Sequence, residues 1–324
     1  MYLNDINVKV YDRSAEDLYV DKPLTNVSVD YKNSQFIADS ILPKVQVTDE
    51  TGLIWSYGFE KFALKDLQRG DYSESKQSSY SVSSSETYAL TNYALHDYVT
   101  EKMRKQAASP MRPEIDTTET LTDILALNKE YQAASLLFNT ASTGFSGYTE
   151  TLNNASSRYQ WDDYTNSTPI QDSAYARRTK IRTNSGNTSD IHLVIGDSVW
   201  VQLQEHPDIL ERIKYTQTGI LTEELVAKVM KVDSLTVGVA RYNTANEGQT
   251  ASLGDIWGKY ALFYHKGKPA IKTSATALLL HGGNYVRRWQ EPAFRNATLV
   301  EVEEAFQVKV LSARSGYLFS TAVA

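Results

Sequence analysis

Apolar and polar residues alternate with a period of two near the start of the chain, which predicts extended strands rather than helices. Within residues 1–45 the alternation is confined to 5–11 and 26–31, with Pro23 between these stretches. Neither stretch is long enough to close a hydrophobic core. Residues 1–45 are therefore predicted to form an extended arm that needs another surface to pack on.

Residues 46–100 are predicted to form a long two-stranded β-hairpin. The outgoing strand, 51–62, alternates smaller or polar residues with three aromatic ones, Trp55, Tyr57 and Phe59. The returning strand, 80–98, starts at Tyr80 and is rich in Ser, Thr and Tyr, and the polar connection contains Arg69-Gly70-Asp71. A polar hairpin without a wide apolar face is only marginally stable alone, so we expect a neighbour to support it.

The pattern changes to a helical period in the segment 101–185. Asp116 and Glu119 form a capping-box-like start just after Pro113. Apolar residues then recur every three or four positions, at Ile124, Leu127, Tyr131, Ala134 and Phe138. This spacing predicts a long amphipathic helix over 116–139, and a second helix is predicted over 173–182.

Residues 186–282 are predicted to form a compact α/β block, after which 283–324 return to strands. The block contains a buried strand, three short helices and a second strand, at 191–195, 198–204, 207–213, 222–230 and 234–239. The predicted strands after Gly282-Gly283 are 285–289, 297–303 and 306–311.

Composition narrows the function classes. The 324 residues include no cysteine, which excludes disulfide scaffolds, zinc-thiolate sites and cysteine nucleophiles. The net charge of −6 argues against general nucleic-acid binding. No apolar run is long enough to span a membrane, and the chain starts with no secretory signal. The 21 Tyr, against 9 Phe and 5 Trp, suit surfaces that are exposed in one state and covered in another, although Tyr also favours strands.

One enzyme signal is Gly196-Asp197-Ser198 after a strand, which resembles the first block of SGNH serine esterases. That family has its base, a histidine, three residues after an aspartate, and none of the five histidines here has an aspartate at that spacing. The alternative is a strand end followed by a helix cap. Gly254–Tyr260 imitates a phosphate loop without its spacing or hydroxyl. We therefore expect no catalytic residue, cofactor or metal site.

Two basic clusters stand out in this acidic chain. The first is Lys102, Arg104, Lys105 and Arg112, and the second is Arg177, Arg178, Lys180 and Arg182. Each could contact acidic neighbours or an enclosed polyanion, or it could be a solvated charged face. The acidity of the whole chain favours contact between subunits.

Four segments resemble one known family. They are 36–47 (FIADSILPKVQV), 80–90, 206–215 (HPDILERIKY), and 241–245 taken with 251–258. Together with the order of the elements they resemble the major capsid proteins of tailed bacteriophages, which have the HK97 fold. The resemblance covers most of the chain from about residue 27 and is most specific over 190–260.

The resemblance implies an α+β fold with an HK97-like architecture, including an α/β axial domain. Residues 1–45 correspond to the N-terminal arm, 46–100 to the hairpin called the E-loop, and 101–185 to a peripheral domain whose spine helix is 116–139. Residues 186–282 correspond to the axial domain, and 283–324 return to the peripheral-domain sheet. Trp55, Tyr57, Phe59 and Tyr80 would anchor the E-loop on the adjacent subunit, with Arg69 and Asp71 pairing at its tip.

The implied function is structural rather than enzymatic. Copies would form pentamers and hexamers of an icosahedral virion shell around double-stranded DNA, assembled in the host cytoplasm. A separate scaffolding protein is implied because no heptad segment precedes the arm, and a portal and a decoration protein are further possible partners. The alternatives are an encapsulin-like nanocompartment shell, a tail or head-decoration protein, and an esterase at Gly196-Asp197-Ser198.

Overall fold

A computed structural model of the chain describes most residues from 35 onward. The described residues are 24, 35–57, 64, 68–69, 71, 74–75, 82–107, 111–153, 158–214, 221–246, 248–270, 275–291 and 297–324. The chain divides into two compact units. The first contains 1–32, 92–125 and 284–304, and the second contains 33–91, 126–283 and 305–324. No described helix combines the length and apolar character that crossing a bilayer requires.

Three long elements continue from one unit into the other along the chain. They are helix α3 (Pro113–Leu137) and strands β11 (Ala277–Glu291) and β12 (Ala297–Val310). The predicted separation of strands 297–303 and 306–311 is wrong, because both belong to β12. This strand keeps its alternation of buried and half-buried positions through Glu303 and Glu304. The predicted start of the preceding strand at 285 is also wrong. Gly282 lies inside β11, where an added Cβ would come within 2.7 Å of Leu90 Cδ1.

The first unit combines a sheet with helices. Strand β4 (Thr91–Thr100) lies next to β12, which lies next to β11. Helix α2 (Glu101–Gln106) follows β4 directly, and the Thr100 hydroxyl caps it by accepting a hydrogen bond from the Met103 N–H at 3.2 Å. The core of this unit is aliphatic and consists of Leu24, Val99, Leu121, Leu125, Val286, Val300 and Val302.

The second unit begins with a short helix and a hairpin. Helix α1 (Ala38–Ile41) leads into β1 (Lys44–Gln46), which pairs in parallel with β11. Strands β2 (Thr51–Tyr57) and β3 (Val82–Ala89) then pair antiparallel, with an irregularity between Ile54 and Ser56. Ile54 and Tyr88 are buried with Val45, Val47, Leu278 and Leu280.

The centre of the second unit is a five-stranded sheet in the order β5-β13-β10-β6-β7. Its strands are β5 (Thr149–Thr151), β6 (Ile191–Gly196), β7 (Ser234–Gly238), β10 (Ala261–His265) and β13 (Gly316–Ser320). Every residue of β10 and β13 is buried, as expected for central strands covered on both faces. Trp161, Phe263 and Phe319 fill the core at no measurable exposure.

Several helices pack on this sheet. They are α4 (Pro169–Ala174), a π-helix (Tyr175–Ile181), α5 (Arg182–Ser185), α6 (Asp197–Glu205), α7 (Pro207–Ile213) and α8 (Glu223–Met230). Gly186 ends α5 at φ 76°, a left-handed conformation that glycine adopts without strain. A two-stranded ribbon, β8 (Arg241–Asn243) with β9 (Leu253–Asp255), and a 3₁₀ turn (Ala313–Ser315) complete the unit.

Candidate intersubunit surfaces

The structure describes only part of the aromatic set that is predicted to anchor the hairpin. Trp55 and Tyr57 lie in β2, where the structure describes the backbone but not their side chains. Phe59 and Tyr80 lie outside the described residues. Arg69 and Asp71 are described and exposed. The structure therefore places β2 and β3 together and leaves the contacts of the aromatic side chains as predictions.

The base of the hairpin is held to the second unit by polar contacts. Lys309 on β12 forms an ion pair with Glu86 at 2.8 Å and donates a hydrogen bond to the Thr87 carbonyl. The Ala89 N–H donates to Gln307 Oε1 at 3.0 Å. Sequence reasoning missed Gln307 and Lys309, because their partners lie more than 200 residues away along the chain and leave no local signal.

A buried carboxylate ties the last part of the predicted arm to helix α3. Glu130, which is 1% exposed, accepts hydrogen bonds from the N–H groups of Ile37 at 2.9 Å and Ala38 at 2.8 Å. It also accepts one from Trp257 Nε1 at 2.7 Å. Burial raises the pKa of Glu130, and this effect outweighs the three donors, which act in the opposite direction. Beside it, Lys129 pairs with Asp39 at 3.2 Å.

The first basic cluster separates into two kinds of residue. Arg104 is engaged within its own unit, since it pairs with Glu114, with Glu101 at 3.5 Å, and with the Thr298 hydroxyl at 2.5 Å. Lys105 lies 79% exposed, with only a loose contact to Glu101 at 3.9 Å. Arg104 therefore has an internal structural role, while Lys105 is free to contact solvent or a neighbour.

The second basic cluster lies on the π-helix and α5. Arg178 and Arg182 are exposed, while Arg177 and Lys180 are half-buried. Lys180 lies 5.1 Å from the Tyr175 ring and 5.5 Å from the Tyr317 ring, within cation–π range. Burial, with a smaller contribution from the neighbouring Arg178, lowers the pKa of Arg177. This surface concentrates positive charge that the described part of the chain does not neutralise by direct contact.

Gly196-Asp197-Ser198 joins β6 to α6. An added Cβ on Gly196 would collide with the Gly258 carbonyl oxygen, so this close backbone approach requires glycine. The Ser198 hydroxyl donates a hydrogen bond to the same carbonyl at 3.2 Å. The motif thus forms a tight strand-to-helix junction in which the serine hydroxyl is used in packing.

A buried Ser–His hydrogen bond runs in the wrong direction for a catalytic serine. Ser167 Oγ lies 2.8 Å from His206 Nε2, while His206 Nδ1 accepts the Asp208 N–H at 3.2 Å and so caps α7. An accepting Nδ1 in a neutral ring places the proton on Nε2, which therefore donates to the serine. A general base would instead accept the serine proton. Within the described ranges, no three carboxylate or histidine side chains are grouped to hold a metal ion.

Comparisons with known proteins cover almost the whole chain. No protein-family model matches it. The major capsid protein of Burkholderia phage BcepMu is 28% identical over 307 residues, covering 93% of this chain and 96% of the relative. The major capsid protein of Pseudomonas phage JBD67 is 27% identical over 314 residues, covering 94% and 97%.

Solved structures share the fold at lower identity. A phage-related protein from Bordetella bronchiseptica RB50 has a TM-score of 0.73 at 20% identity, covering 94% of this chain and 98% of its own. The capsid of Cyanophage P-SCSP1u has a TM-score of 0.58 at 9% identity, covering 88% and 87%. The mature capsid of bacteriophage PhiM1 has a TM-score of 0.54 at 10% identity, covering 90% and 88%.

Proposed function

We infer that this chain is a major capsid protein of a tailed phage, a structural component of the virion with the HK97-like α+β fold. The observation that carries this conclusion is that two curated major capsid proteins match it over more than nine tenths of both chains. A match confined to one module would leave the function open, whereas these two extend over 93% and 94% of the chain. The predicted fold is confirmed by the capsid structures that share it.

The capsid fold implies that copies of the chain assemble with one another into a shell. We propose that the shell is icosahedral, is built from pentamers and hexamers, and encloses double-stranded DNA without reading its sequence. A separate scaffolding protein, a portal and a decoration protein are the proposed partners, and assembly takes place in the host cytoplasm. The curated relatives favour this function over an encapsulin-like compartment, and the packing role of Ser198 favours it over an esterase.

We propose that the hairpin β2–β3 contributes contacts between subunits. A two-stranded sheet has too little apolar surface to be stable by itself. Leu53 on β2 is 46% exposed and Leu64 beyond it is fully exposed, so apolar surface remains to be covered. Trp55, Tyr57, Phe59 and Tyr80 would anchor the hairpin on an adjacent subunit, and Arg69 and Asp71 would pair across a symmetry axis.

Electron microscopy of the purified chain tests both the function and the hairpin anchors. The full chain, expressed with its scaffolding protein if one is required, should yield shells in negative stain. The double variant Trp55→Ser/Phe59→Ser should remain soluble and folded but fail to form shells, because the anchoring aromatic surface is lost.

The matched control removes apolar surface elsewhere. Met111 and Tyr285 are exposed, at 64% and 45%, and Met111→Ser/Tyr285→Ser should assemble normally. A normal shell yield from the Trp55/Phe59 variant would contradict the anchor role while leaving the capsid function intact. Monomers from the unaltered chain under all assembly conditions would contradict the capsid function itself.

A further inference from the structure

We propose that residues 37–42, called the strap here, open and close on the rest of the second unit as one piece, and that shells form only from copies whose strap is closed. The rest of the second unit is called the body. The strap contains helix α1 and lies near the end of the predicted arm. The link to shells rests on the proposed function, whereas the opening of the strap does not.

The strap has few means of holding its own helix. Helix α1 has only four residues, whereas an isolated helix needs about 12–15 residues to be stable in water. Its N-cap, Ile37, provides no side-chain hydrogen bond, and the chain is already extended at its C-cap, Leu42. The helical conformation of the strap therefore depends on groups that the body supplies.

The start of the strap is held by α3. Glu130 accepts hydrogen bonds from the N–H groups of Ile37 and Ala38, which belong to the turn whose donors a helix leaves unpaired. Lys129, whose side chain is 8% exposed, pairs at 3.2 Å with Asp39 in the first turn of α1. Two successive residues of α3 thus hold the backbone and one side chain of the strap.

The end of the strap is held by β10 and the residue that follows it. The Tyr264 hydroxyl donates a hydrogen bond to the Ile41 carbonyl at 3.0 Å, and the Lys266 ammonium donates one to the Ser40 carbonyl at 2.5 Å. The last carbonyls of a helix lack partners within it, so these two side chains cap the C-terminal end of α1. Tyr264 is 4% exposed, and its hydrogen bond is therefore shielded from water.

The strap can open without breaking the pairing of any strand. The four capping hydrogen bonds each join the strap backbone to a side chain of the body. Strand pairing starts after the strap, where the Leu279 N–H donates to the Pro43 carbonyl at 3.2 Å and β1 joins β11. The core of the five-stranded sheet contains no residue of the strap. A segment held in this way opens locally, at a lower free energy than global unfolding.

A closed strap fixes the place on the body at which the preceding residues of the predicted arm begin. That arm is expected to pack on another surface, which in a shell would belong to another copy. An open strap leaves the starting point of the arm undefined. The apparent affinity between copies is then reduced by the fraction of copies whose strap is closed.

Hydrogen exchange of unassembled subunits, followed by mass spectrometry at low urea concentrations, tests the opening. The amides of Ser40, Ile41 and Leu42 should exchange at least about tenfold faster than those of β10 and depend less on urea, because opening the strap exposes little surface. Tyr264→Phe/Lys266→Met removes two caps at nearly constant volume and should speed exchange of the strap about tenfold or more. Equal rates and equal urea dependence for the strap and β10 overturn the inference.

A matched control weakens the sheet instead of the strap. Ile195 on β6 is fully buried in the core of the sheet. Ile195→Val should speed exchange in β10 about two- to tenfold and leave exchange of the strap unchanged, since the strap opens without disturbing that core. Faster exchange of the strap in this variant would show that strap and sheet open together, which contradicts the inference.

The double variant Ile41→Ser/Leu42→Ser tests the link to assembly. These side chains are 1% and 2% exposed, so losing their burial should leave the strap open. The body should stay folded by circular dichroism and keep its slow exchange in β10, while the yield of shells in negative stain falls at least about tenfold. Unfolding of the whole body overturns the independence of the strap, and a normal shell yield overturns its role in assembly.

Two outcomes separate this inference from the proposed function. Ile195→Val should form shells as the unaltered chain does, because so small a loss of stability leaves nearly all copies folded. A loss of shells in this control as large as in the strap variant would assign the effect to stability and overturn the role of the strap. If the unaltered chain forms no shells, the proposed function fails together with the link to assembly, while the exchange rates still decide whether the strap opens by itself.

Discussion

Replacing Glu130 should destabilise the subunit, because three buried donors converge on its carboxylate. The N–H groups of Ile37 and Ala38 and the indole N–H of Trp257 all lie within 2.9 Å of it. Glu130→Ala would leave these donors without an acceptor in a site that is almost closed to water. Glu130→Gln keeps one carbonyl oxygen but turns an NH₂ group toward a donor.

The magnitude follows from the number of donors that lose their acceptor. Each unsatisfied buried donor costs about 1–3 kcal/mol, and water entering the vacated space would recover part of that cost. We therefore expect Glu130→Ala to lower the free energy of unfolding by about 3–5 kcal/mol. Glu130→Gln should cost about 1–2 kcal/mol, because one or two of the donors keep an acceptor.

The pH dependence of this loss has a definite sign. Burial raises the pKa of Glu130 above its ordinary value of 4.5. The stability linked to its protonation is therefore fully present below that ordinary value and is lost as pH rises through the raised pKa of the folded protein. Because the amide introduced by Glu130→Gln does not titrate, the difference in unfolding free energy between the unaltered chain and this variant should narrow as pH increases.

Urea unfolding of unassembled subunits, followed by tryptophan fluorescence at several pH values, measures both effects. Glu119→Gln is the matched control on the same helix and should change stability by no more than about 0.5 kcal/mol. A loss below about 1 kcal/mol for Glu130→Ala would refute the convergence of three donors. A difference that widens with pH for Glu130→Gln would refute the raised pKa.

Three further predictions concern residues whose roles the structure distinguishes. Gly196→Ala should destabilise the subunit by about 3 kcal/mol, the upper end of overpacking costs, because its Cβ would meet the Gly258 carbonyl; thermal melting checks this. Arg104→Ala should cost about 1–2 kcal/mol and Lys105→Ala less than about 0.5, measured by urea unfolding, and equal costs would contradict the internal role of Arg104. Burial lowers the pKa of His206 below its ordinary value of 6.5. The folding stability linked to its neutral form is therefore present above pH 6.5 and is lost as pH falls through the lowered pKa. The His206→Gln variant should therefore lose less stability than the unaltered chain between about pH 7.5 and about pH 5. An equal loss in the two proteins would contradict the lowered pKa of His206.

Periodicity and local signals predicted the elements whose stability is decided within a few residues. The predicted helix 207–213 coincides with α7, because His206 caps it and Pro207 occupies its first turn. The predicted helix 116–139 differs from α3 by three residues at its start and two at its end. The order of such elements, together with four short segments, was enough to indicate the capsid fold.

What the sequence did not reveal depends on contacts between distant positions. In the sequence, Gly282 suggests that a strand starts only after it. In the structure it lies within β11, where Leu90 and Ala305 pack in the space that a side chain would occupy. In the sequence, nothing distinguishes Glu130 from any other glutamate of a helix. Its role follows from the hydrogen bonds that it accepts from Ile37 and Trp257, which are distant along the chain. Arg104 and Lys105 are adjacent and equally basic in sequence, and only the position of Glu114 distinguishes them.

The buried core and the exposed hairpin of the second unit predict two separable classes of mutant. Its five-stranded sheet buries Trp161, Phe263 and Phe319 completely within one unit of one chain. Because that core is complete without a partner, a cavity there would cost stability whether or not copies assemble. The hairpin instead leaves Leu53 exposed in the single chain, so changes at this position cost the isolated subunit little. Their effect should therefore be confined to assembly, and solubility and shell yield should fall together only for variants of the core.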